Sequence, residues 1–239
     1  MQVAVDHILQ ASRTSGYDGI PITDSWIAAL NDGGMLYVRL FTMAISSLSA
    51  FSLVRWGISG FPWYMSDWAA FGSVLTTVLL FMSHFRPHDQ GYDNLCKALF
   101  EIALPFNAMT TLLYWTTYTI PEINGDWNTW VYPYFMHVAP FAALLIEALT
   151  NNIVFDYQRG VWRSLWALLS YFPLSYFSNE VWGDFAYSFI TWDSLDTPMW
   201  LAIVTVVDLV FFYGLGFLNN YVKTGSGVGH LASQFTTMI

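Results

Sequence analysis

Few residues of this sequence combine a reactive side chain with a strongly apolar setting. His137, Asp208 and the hydroxyls of Ser73, Thr76 and Thr77 each lie in the middle of a long apolar segment. A hydroxyl, an imidazole and a carboxylate together can form an activated nucleophile, because the imidazole takes the hydroxyl proton while the carboxylate orients and stabilises the imidazolium. We therefore consider a catalytic site in which Ser73, Thr76 or Thr77 attacks, His137 is the base and Asp208 orients it.

Interhelical hydrogen bonding is the alternative role for these residues, since membrane helices commonly use Ser, Thr, His and Asp in this way. A haem or metal site is disfavoured. His137 has no second histidine at comparable depth, and Arg86 and Pro87 between His84 and His88 spoil a helical pair of ligands. No cofactor and no metal are expected.

The composition explains why these groups would lie in an apolar setting. Of the 239 residues, 55% are apolar, 19% aromatic and only 10% charged, whereas globular domains have about 25% charged residues. This mixture predicts an integral membrane protein. Eight scattered Lys and Arg in a chain of net charge −9 exclude a nucleic-acid partner, and Cys96 as the single cysteine excludes an intrachain disulfide.

About 20 apolar residues cross a bilayer as a helix, and this length predicts an all-α, polytopic bundle of six spans within residues 35–222. A polar segment, residues 1–34, precedes the bundle and includes a possible short amphipathic helix at Val3–Ala11; a flexible tail, residues 223–239, follows it. The six predicted spans are Leu36–Trp56, Pro62–His84, Leu95–Tyr118, Trp127–Thr150, Val161–Phe177 and Met199–Tyr221.

Basic residues collect on the cytoplasmic side of membrane proteins, and their positions here favour an even number of spans with both termini cytoplasmic. Under that topology Arg55 is the exception, and the opposite loops are acidic. The residues on the cytoplasmic side would be Arg13, Arg39, Arg86, Lys97, Arg159, Arg163 and Lys223.

The same topology orders the intramembrane polar groups by depth. Spans two, four and six run in one direction, and a rise of 1.5 Å per residue places Ser73, His137 and Asp208 at roughly one level near the bilayer centre. Arg39 lies close to a helix end and is expected to extend its guanidinium to the interface. Glu101 and Glu147 lie near cytoplasmic ends, where a Lys or Arg partner or water would stabilise them.

Several short stretches resemble the androgen-induced and androgen-dependent membrane protein family, six-span hydrolases of fatty acid esters of hydroxy fatty acids. The main one is a histidine followed ten residues later by a Leu-Ile-Glu ending, in Met136–Glu147. The others are Tyr37–Leu40, Leu104-Pro105 with Trp115–Tyr118, and Leu218–Tyr221.

The resemblance implies hydrolysis of a lipid ester by a threonine of span two and His137. The family's Trp-x-x-Leu-Thr pattern, aligned on Trp68, places Gly72 at the threonine position, with Ser73 next to it. The family's Asn-His pair and the threonine after the catalytic histidine are also replaced here, by Pro133-Tyr134 and Val138. The resemblance further implies the endomembrane system or the plasma membrane, and the inner membrane of an organelle remains open. An acyl chain would be bound by an aromatic lining that includes Trp115, Tyr118, Tyr134 and Phe141.

A non-catalytic role is the main alternative. The chain would then be an accessory or scaffold subunit of a larger membrane protein complex, holding lipid between its helices. A channel or transporter is less favoured, because the intramembrane carboxylates are dispersed and no internal repeat is present. Membrane lipids and acyl chains are the expected ligands in either of the first two cases.

Overall fold

A computed structural model describes residues 22–27, 30, 32–57, 63–86, 89–117, 131–182, 187, 190–192 and 194–224. Within this part of the chain the architecture is all-helical. The α-helices are α1 (Asp32–Ser52), α2 (Met65–Met82), α3 (Gln90–Thr117), α4 (Ala139–Thr150), α5 (Arg159–Trp182) and α6 (Asp196–Thr224). A π-helical turn, Leu53–Gly57, follows α1, and a second one, Tyr134–Val138, precedes α4. A 3₁₀ turn, Ser83–Phe85, extends α2. Val3–Ala11 and the tail beyond residue 224 lie outside the described residues.

Four helical segments are long and apolar enough to cross a membrane. They are Asp32–Arg55, Met65–Phe85, Val131–Thr150 and Asp196–Lys223. The prediction of a multi-pass membrane protein is confirmed to this extent. The segments predicted as spans three and five are also helices of sufficient length, α3 and α5, but they are not apolar enough to be counted with these four, so the number of six spans stays a prediction.

Helix α1 shows how the bundle is adapted to lipid. Its buried face is mostly polar and includes Thr42, Ser46 and Ser49, whereas Phe41 and Phe51 on its outer face are each 57% exposed. A surface helix of a soluble protein has the opposite pattern, with apolar residues inside. Exposed apolar and buried polar faces indicate that hydrocarbon surrounds this helix.

Some helices are longer than the predicted spans, because polar and charged residues next to the apolar window are also helical. Helix α3 begins at Gln90, five residues before the predicted span, because the Asp89 carboxylate accepts a hydrogen bond from the Gly91 N–H at 2.8 Å and caps the first turn. Helix α5 extends to Trp182, beyond Phe177. A hydropathy window misses such polar first and last turns.

One end of the bundle, here called the Arg39 end, is closed by buried charges. Arg39 is fully buried, so the expectation that it reaches the interface is wrong. Its Nε lies 3.8 Å from Glu147 Oε2, and its Nη1 donates to Leu80 O at 3.1 Å and to Ser83 Oγ at 2.9 Å. Its Nη2 also donates to Ile22 O. Four structural elements therefore meet at one guanidinium.

Lys223 makes a second closure at the same end. Its ammonium donates to Asn151 Oδ1 at 2.7 Å, to Ile153 O at 2.8 Å and to Asn219 Oδ1 at 2.7 Å, joining the end of α6 to the loop between α4 and α5. The basic residues placed towards this end are Arg39, Arg86, Lys97, Arg159, Arg163 and Lys223.

The expected partner of Glu101 is also present. Arg163 Nη1 donates to Glu101 Oε2 at 2.9 Å, and the Asp156 N–H donates to Oε1 at 2.7 Å. Around this group the aromatic rings of Phe100, Phe155 and Phe212 form the centre of one apolar core. Glu101 and Glu147 thus have the structural role that their position near the helix ends predicted.

Candidate functional site

His137 lies in a π-helical turn at the opposite end of the bundle, here called the His137 end. The Ala139 N–H donates to Tyr134 O, five residues back. Pro140 has no N–H to offer to Met136 O, which removes one ordinary helical bond directly after the turn. The hydroxyl of Thr111 on α3 donates to His137 O at 2.6 Å and fixes the widened turn. Single π-helical turns are frequent at functional sites.

The imidazole of His137 is buried, and one of its ring nitrogens has no polar partner in the described part of the chain. Its residue is only 6% exposed, and Nδ1 has no hydrogen-bond partner among the described residues. The ring stacks on Tyr114 with centroids 3.8 Å apart and planes 18° from parallel. Leaving a buried polar atom unsatisfied is unfavourable, so this nitrogen is a place where a ligand or water would be stabilised.

A cavity of about 330 Å³ adjoins this imidazole. Its wall comes from the start of α2, the last turns of α3, the helical segment around His137, and one residue of the connection between α5 and α6. The lining residues are Tyr64, Met65, Ser66, Thr110, Leu113, Tyr114, Thr117, Tyr132, His137 and Tyr187. The volume is within the range of small-molecule sites.

Tyrosines hold this wall in position. The Tyr187 hydroxyl accepts a hydrogen bond from the Met65 N–H at 3.0 Å, which satisfies one of the open donors at the start of α2. The Tyr187 ring packs edge-on against Tyr64 with centroids 5.6 Å apart. Nearby, the Tyr171 hydroxyl on α5 donates to Trp63 O at 2.7 Å. The cavity is therefore built by contacts between elements distant in sequence.

The hydroxyls predicted as nucleophiles are placed elsewhere. Ser73 Oγ donates to Pro140 O at 3.3 Å, Thr76 donates to Gly72 O at 2.7 Å, and Thr77 Oγ1 lies 2.6 Å from Ser46 Oγ. None of the three lines the cavity. In this arrangement these hydroxyls connect α2 to its neighbours and to its own backbone, and the structure does not join them to the His137 ring.

Asp208 is also separate from His137 in its hydrogen bonding. Ser164 Oγ on α5 donates to Asp208 Oδ2 at 2.9 Å, and Oδ1 is buried with no partner among the described residues. Ser164 directly follows Arg163 of the Arg39 end, whereas His137 lies at the opposite end, so the structure gives no contact that supports the predicted equal depth of Asp208 and His137.

Two hydroxyls that the sequence analysis missed share the cavity with His137. Ser66 lies in the first turn of α2, and Thr110 lies on α3. The predicted level of His137 was compared only with levels on helices that run in the same direction as its own segment. Including the antiparallel α3 would have identified Thr110, since Thr111 beside it bonds to His137 O.

The aromatic residues predicted to line an acyl pocket divide into separate groups. Trp115 packs on Tyr114, the ring that stacks on His137, with centroids 5.3 Å apart, and Tyr134 packs on Trp115 with centroids 5.4 Å apart. Phe141 instead packs against the apolar core at the Arg39 end. Tyr118 lies outside the described residues.

Gly72, which occupies the position of the family's threonine in the resemblance, has room around it. No heavy atom lies within 4 Å of the place where its Cβ would be. Packing therefore does not require glycine here.

Comparisons with known proteins add no further assignment. No protein-family model, no curated protein and no solved structure matches the chain.

Proposed function

We propose that this protein is a multi-pass membrane protein that binds the polar end of a lipid in the cavity beside His137 and hydrolyses an ester there. The observation that carries the proposal is the buried imidazole, whose Nδ1 lacks a described partner and which lines a cavity together with Ser66 and Thr110. The resemblance of Met136–Glu147 to membrane lipid hydrolases supports the same function.

In the proposed reaction His137 acts first as a base and then as an acid. It takes a proton from a cavity hydroxyl or a water as that oxygen attacks the ester carbonyl, and it returns the proton to the departing alcohol oxygen. A side-chain nucleophile would leave an acyl-enzyme ester, which a water then cleaves with the same assistance. Over the whole cycle one ester and one water become one acid and one alcohol.

Stacking on Tyr114 orients the imidazole for this role. The neutral imidazole is the form that accepts a proton. The Thr111 bond to His137 O positions the backbone from which the ring extends. We infer that the first nucleophiles to examine are Thr110 and Ser66, with Ser73 retained from the sequence pattern.

The proposal includes six spans with both termini cytoplasmic. Helices α3 and α5 have 28 and 24 residues, which is enough to cross a bilayer. Glu101 of α3 and Arg163 of α5 form an ion pair, and both lie towards the Arg39 end. That end would face the cytoplasm, and the His137 cavity would open towards the opposite side.

Hydrolysis of a long-chain ester by the purified protein in detergent micelles tests the proposal. We expect His137→Ala to lower the rate by about 10²-fold or more, the usual contribution of acid–base catalysis. Labelling by a fluorophosphonate would be lost in the variant of whichever residue is the nucleophile, among Thr110→Val, Ser66→Ala and Ser73→Ala.

Thr205→Val is the matched control for Thr110→Val, because the Thr205 hydroxyl donates to Leu201 O of its own helix. Its activity should equal that of the wild type. An ester-hydrolysis rate unchanged by His137→Ala, or no turnover by the wild type, would refute the catalytic proposal. Stoichiometric co-purification of an inactive wild type with other membrane proteins would instead support an accessory subunit.

A further inference from the structure

The wall of the His137 cavity contains no described Lys or Arg, and this affects which lipid head groups can enter. We propose that the cavity receives an uncharged, oxygen-bearing lipid head, such as a glycerol or other neutral ester, and excludes phosphate and carboxylate heads, so that the free carboxylate of a fatty acid ester of a hydroxy fatty acid would not enter it. This inference rests on the proposed function, since it names the substrate class of the same site.

No Lys or Arg lines the cavity within the described part of the chain. Arg55, which belongs to the π-helical turn at the His137 end, is exposed and is not part of the wall. Arg39, Arg163 and Lys223 are held by partners towards the Arg39 end. An anion moved from water into such a site would lose its hydration without gaining an ion pair, which is strongly unfavourable.

Asp67 adds to this discrimination. It directly follows the lining residue Ser66, it is only 2% exposed, and its Oδ2 has no hydrogen-bond partner among the described residues. No basic side chain of the described residues pairs with it. In its ionised form, the Asp67 carboxylate repels a phosphate or a fatty-acid carboxylate near the wall and leaves an uncharged head unaffected.

The polar groups of the wall suit a neutral head. The Ser66 hydroxyl can donate and accept a hydrogen bond, and a neutral imidazole offers one donor and one acceptor. The Thr110 hydroxyl, which donates to Asn107 O at 3.2 Å, can still accept, and the Tyr187 phenol, which accepts from the Met65 N–H, can still donate. An ester carbonyl accepts such bonds, and a polyol both donates and accepts them. This combination recognises oxygen atoms that carry no full charge.

The volume limits how much of the lipid enters. A water molecule occupies about 30 Å³ in the liquid, so a cavity of about 330 Å³ holds on the order of ten non-hydrogen atoms. A glycerol unit with its ester carbonyl and the first methylenes fits this size, whereas a complete long-chain lipid does not. The rest of the acyl chain would stay along the apolar helix surfaces.

Two lipids that differ only in a phosphate test the inference. A diazirine-labelled monoacylglycerol is photo-crosslinked to the full chain in phosphatidylcholine nanodiscs, with unlabelled 1-oleoylglycerol or 1-oleoyl-lysophosphatidate as competitor. We expect the lysophosphatidate to compete at least about tenfold more weakly, a factor that corresponds to 1.4 kcal/mol. Asp67→Asn should narrow this difference several-fold, whereas Glu180→Gln, at an exposed position of α5, should leave it unchanged.

The outcomes separate this inference from the proposed function. Equal or stronger competition by the lysophosphatidate overturns the neutral-head inference alone. No specific crosslinking by the monoacylglycerol also overturns the neutral-head inference, whereas the proposed function is decided separately by the rate of ester hydrolysis in the wild type and in His137→Ala. A difference between the two lipids that Asp67→Asn does not alter refutes the role of Asp67, and the lack of a cation in the wall then carries the discrimination.

Discussion

Gly160, in the first turn of α5, is the position where a single added methyl group tests the packing of the bundle most directly. A Cβ at this residue would lie 2.9 Å from Phe212 Cζ and 3.0 Å from Glu101 Oε2. Both neighbours are fully buried, and Glu101 is held by Arg163 and by the Asp156 N–H. The alanine methyl therefore cannot be accommodated without moving an aromatic ring and a paired carboxylate.

The expected size of the effect follows from two opposing contributions. Replacing glycine by alanine favours a helix by up to about 1 kcal/mol, and less than this near a helix end. Overpacking a well-filled core costs about 1–3 kcal/mol, and displacement of Glu101 also weakens its bond to Arg163. We expect Gly160→Ala to lower the free energy of unfolding by about 1–2 kcal/mol.

Thermal unfolding in one detergent, followed by tryptophan fluorescence, measures this change. A chain of this size loses about 2–4 °C in Tm per kcal/mol, so a decrease of about 2–8 °C is expected. Gly214→Ala on α6 is the matched control, because nothing lies within 4 Å of its Cβ position, and its Tm should stay equal or rise. A Gly160→Ala protein that unfolds at or above the wild-type temperature would refute this description of the α3, α5 and α6 junction.

Three further predictions concern the ends of the bundle. Lys223→Met should lower the free energy of unfolding by several kcal/mol, because three acceptors lose their donor. Each buried acceptor left unsatisfied costs about 1–3 kcal/mol. A Tm within about 2 °C of the wild type would contradict this prediction. Glu147→Ala should cost about 3–5 kcal/mol because Arg39 would remain buried without its carboxylate, again measured by thermal unfolding. Ser66→Cys should react with a membrane-impermeant thiol reagent from the non-cytoplasmic side of sealed vesicles, whereas the wild type, whose single cysteine Cys96 is buried, should not react; labelling from the cytoplasmic side would contradict the proposed orientation.

Hydropathy and charge predicted the helical elements well, because the apolar windows are long and the turns contain Gly, Pro and Asn. They predicted that Glu101 and Glu147 would have either a Lys or Arg partner or water, because an unpaired carboxylate within a span is costly, and the structure gives each of them an arginine. They did not predict the buried position of Arg39. That position depends on Glu147 and Leu80, contributed by helices whose facing sides the sequence pattern does not reveal.

Depth along a helix is an incomplete measure of which side chains meet. Counting residues places Ser73, His137 and Asp208 at one level, but contact also depends on the direction in which each side chain leaves its helix. In the structure Ser73 contacts Pro140 O, Asp208 accepts a bond from Ser164, and neither bonds to the imidazole. Depth gives the position of a residue along the bundle axis, but a catalytic site also requires the right positions across the bundle, which the depth of a residue does not contain.

Hydroxyls within a bilayer also give little information about function, for a physical reason. A serine or threonine on a helix can donate to the carbonyl three or four residues earlier, as Thr76 does to Gly72 O and Thr205 to Leu201 O, and so satisfies itself without any other element. The His137 ring makes no such bond, and Nδ1 remains unsatisfied beside a cavity. In a membrane helix, a polar residue indicates a site when it has a buried atom without a described partner and also borders a cavity. His137 meets both conditions, whereas Asp208, whose Oδ1 also lacks a described partner, does not line the cavity. Thr110 donates to Asn107 O at 3.2 Å, so it is a candidate because of its place in the cavity wall and not because its hydroxyl is unpaired.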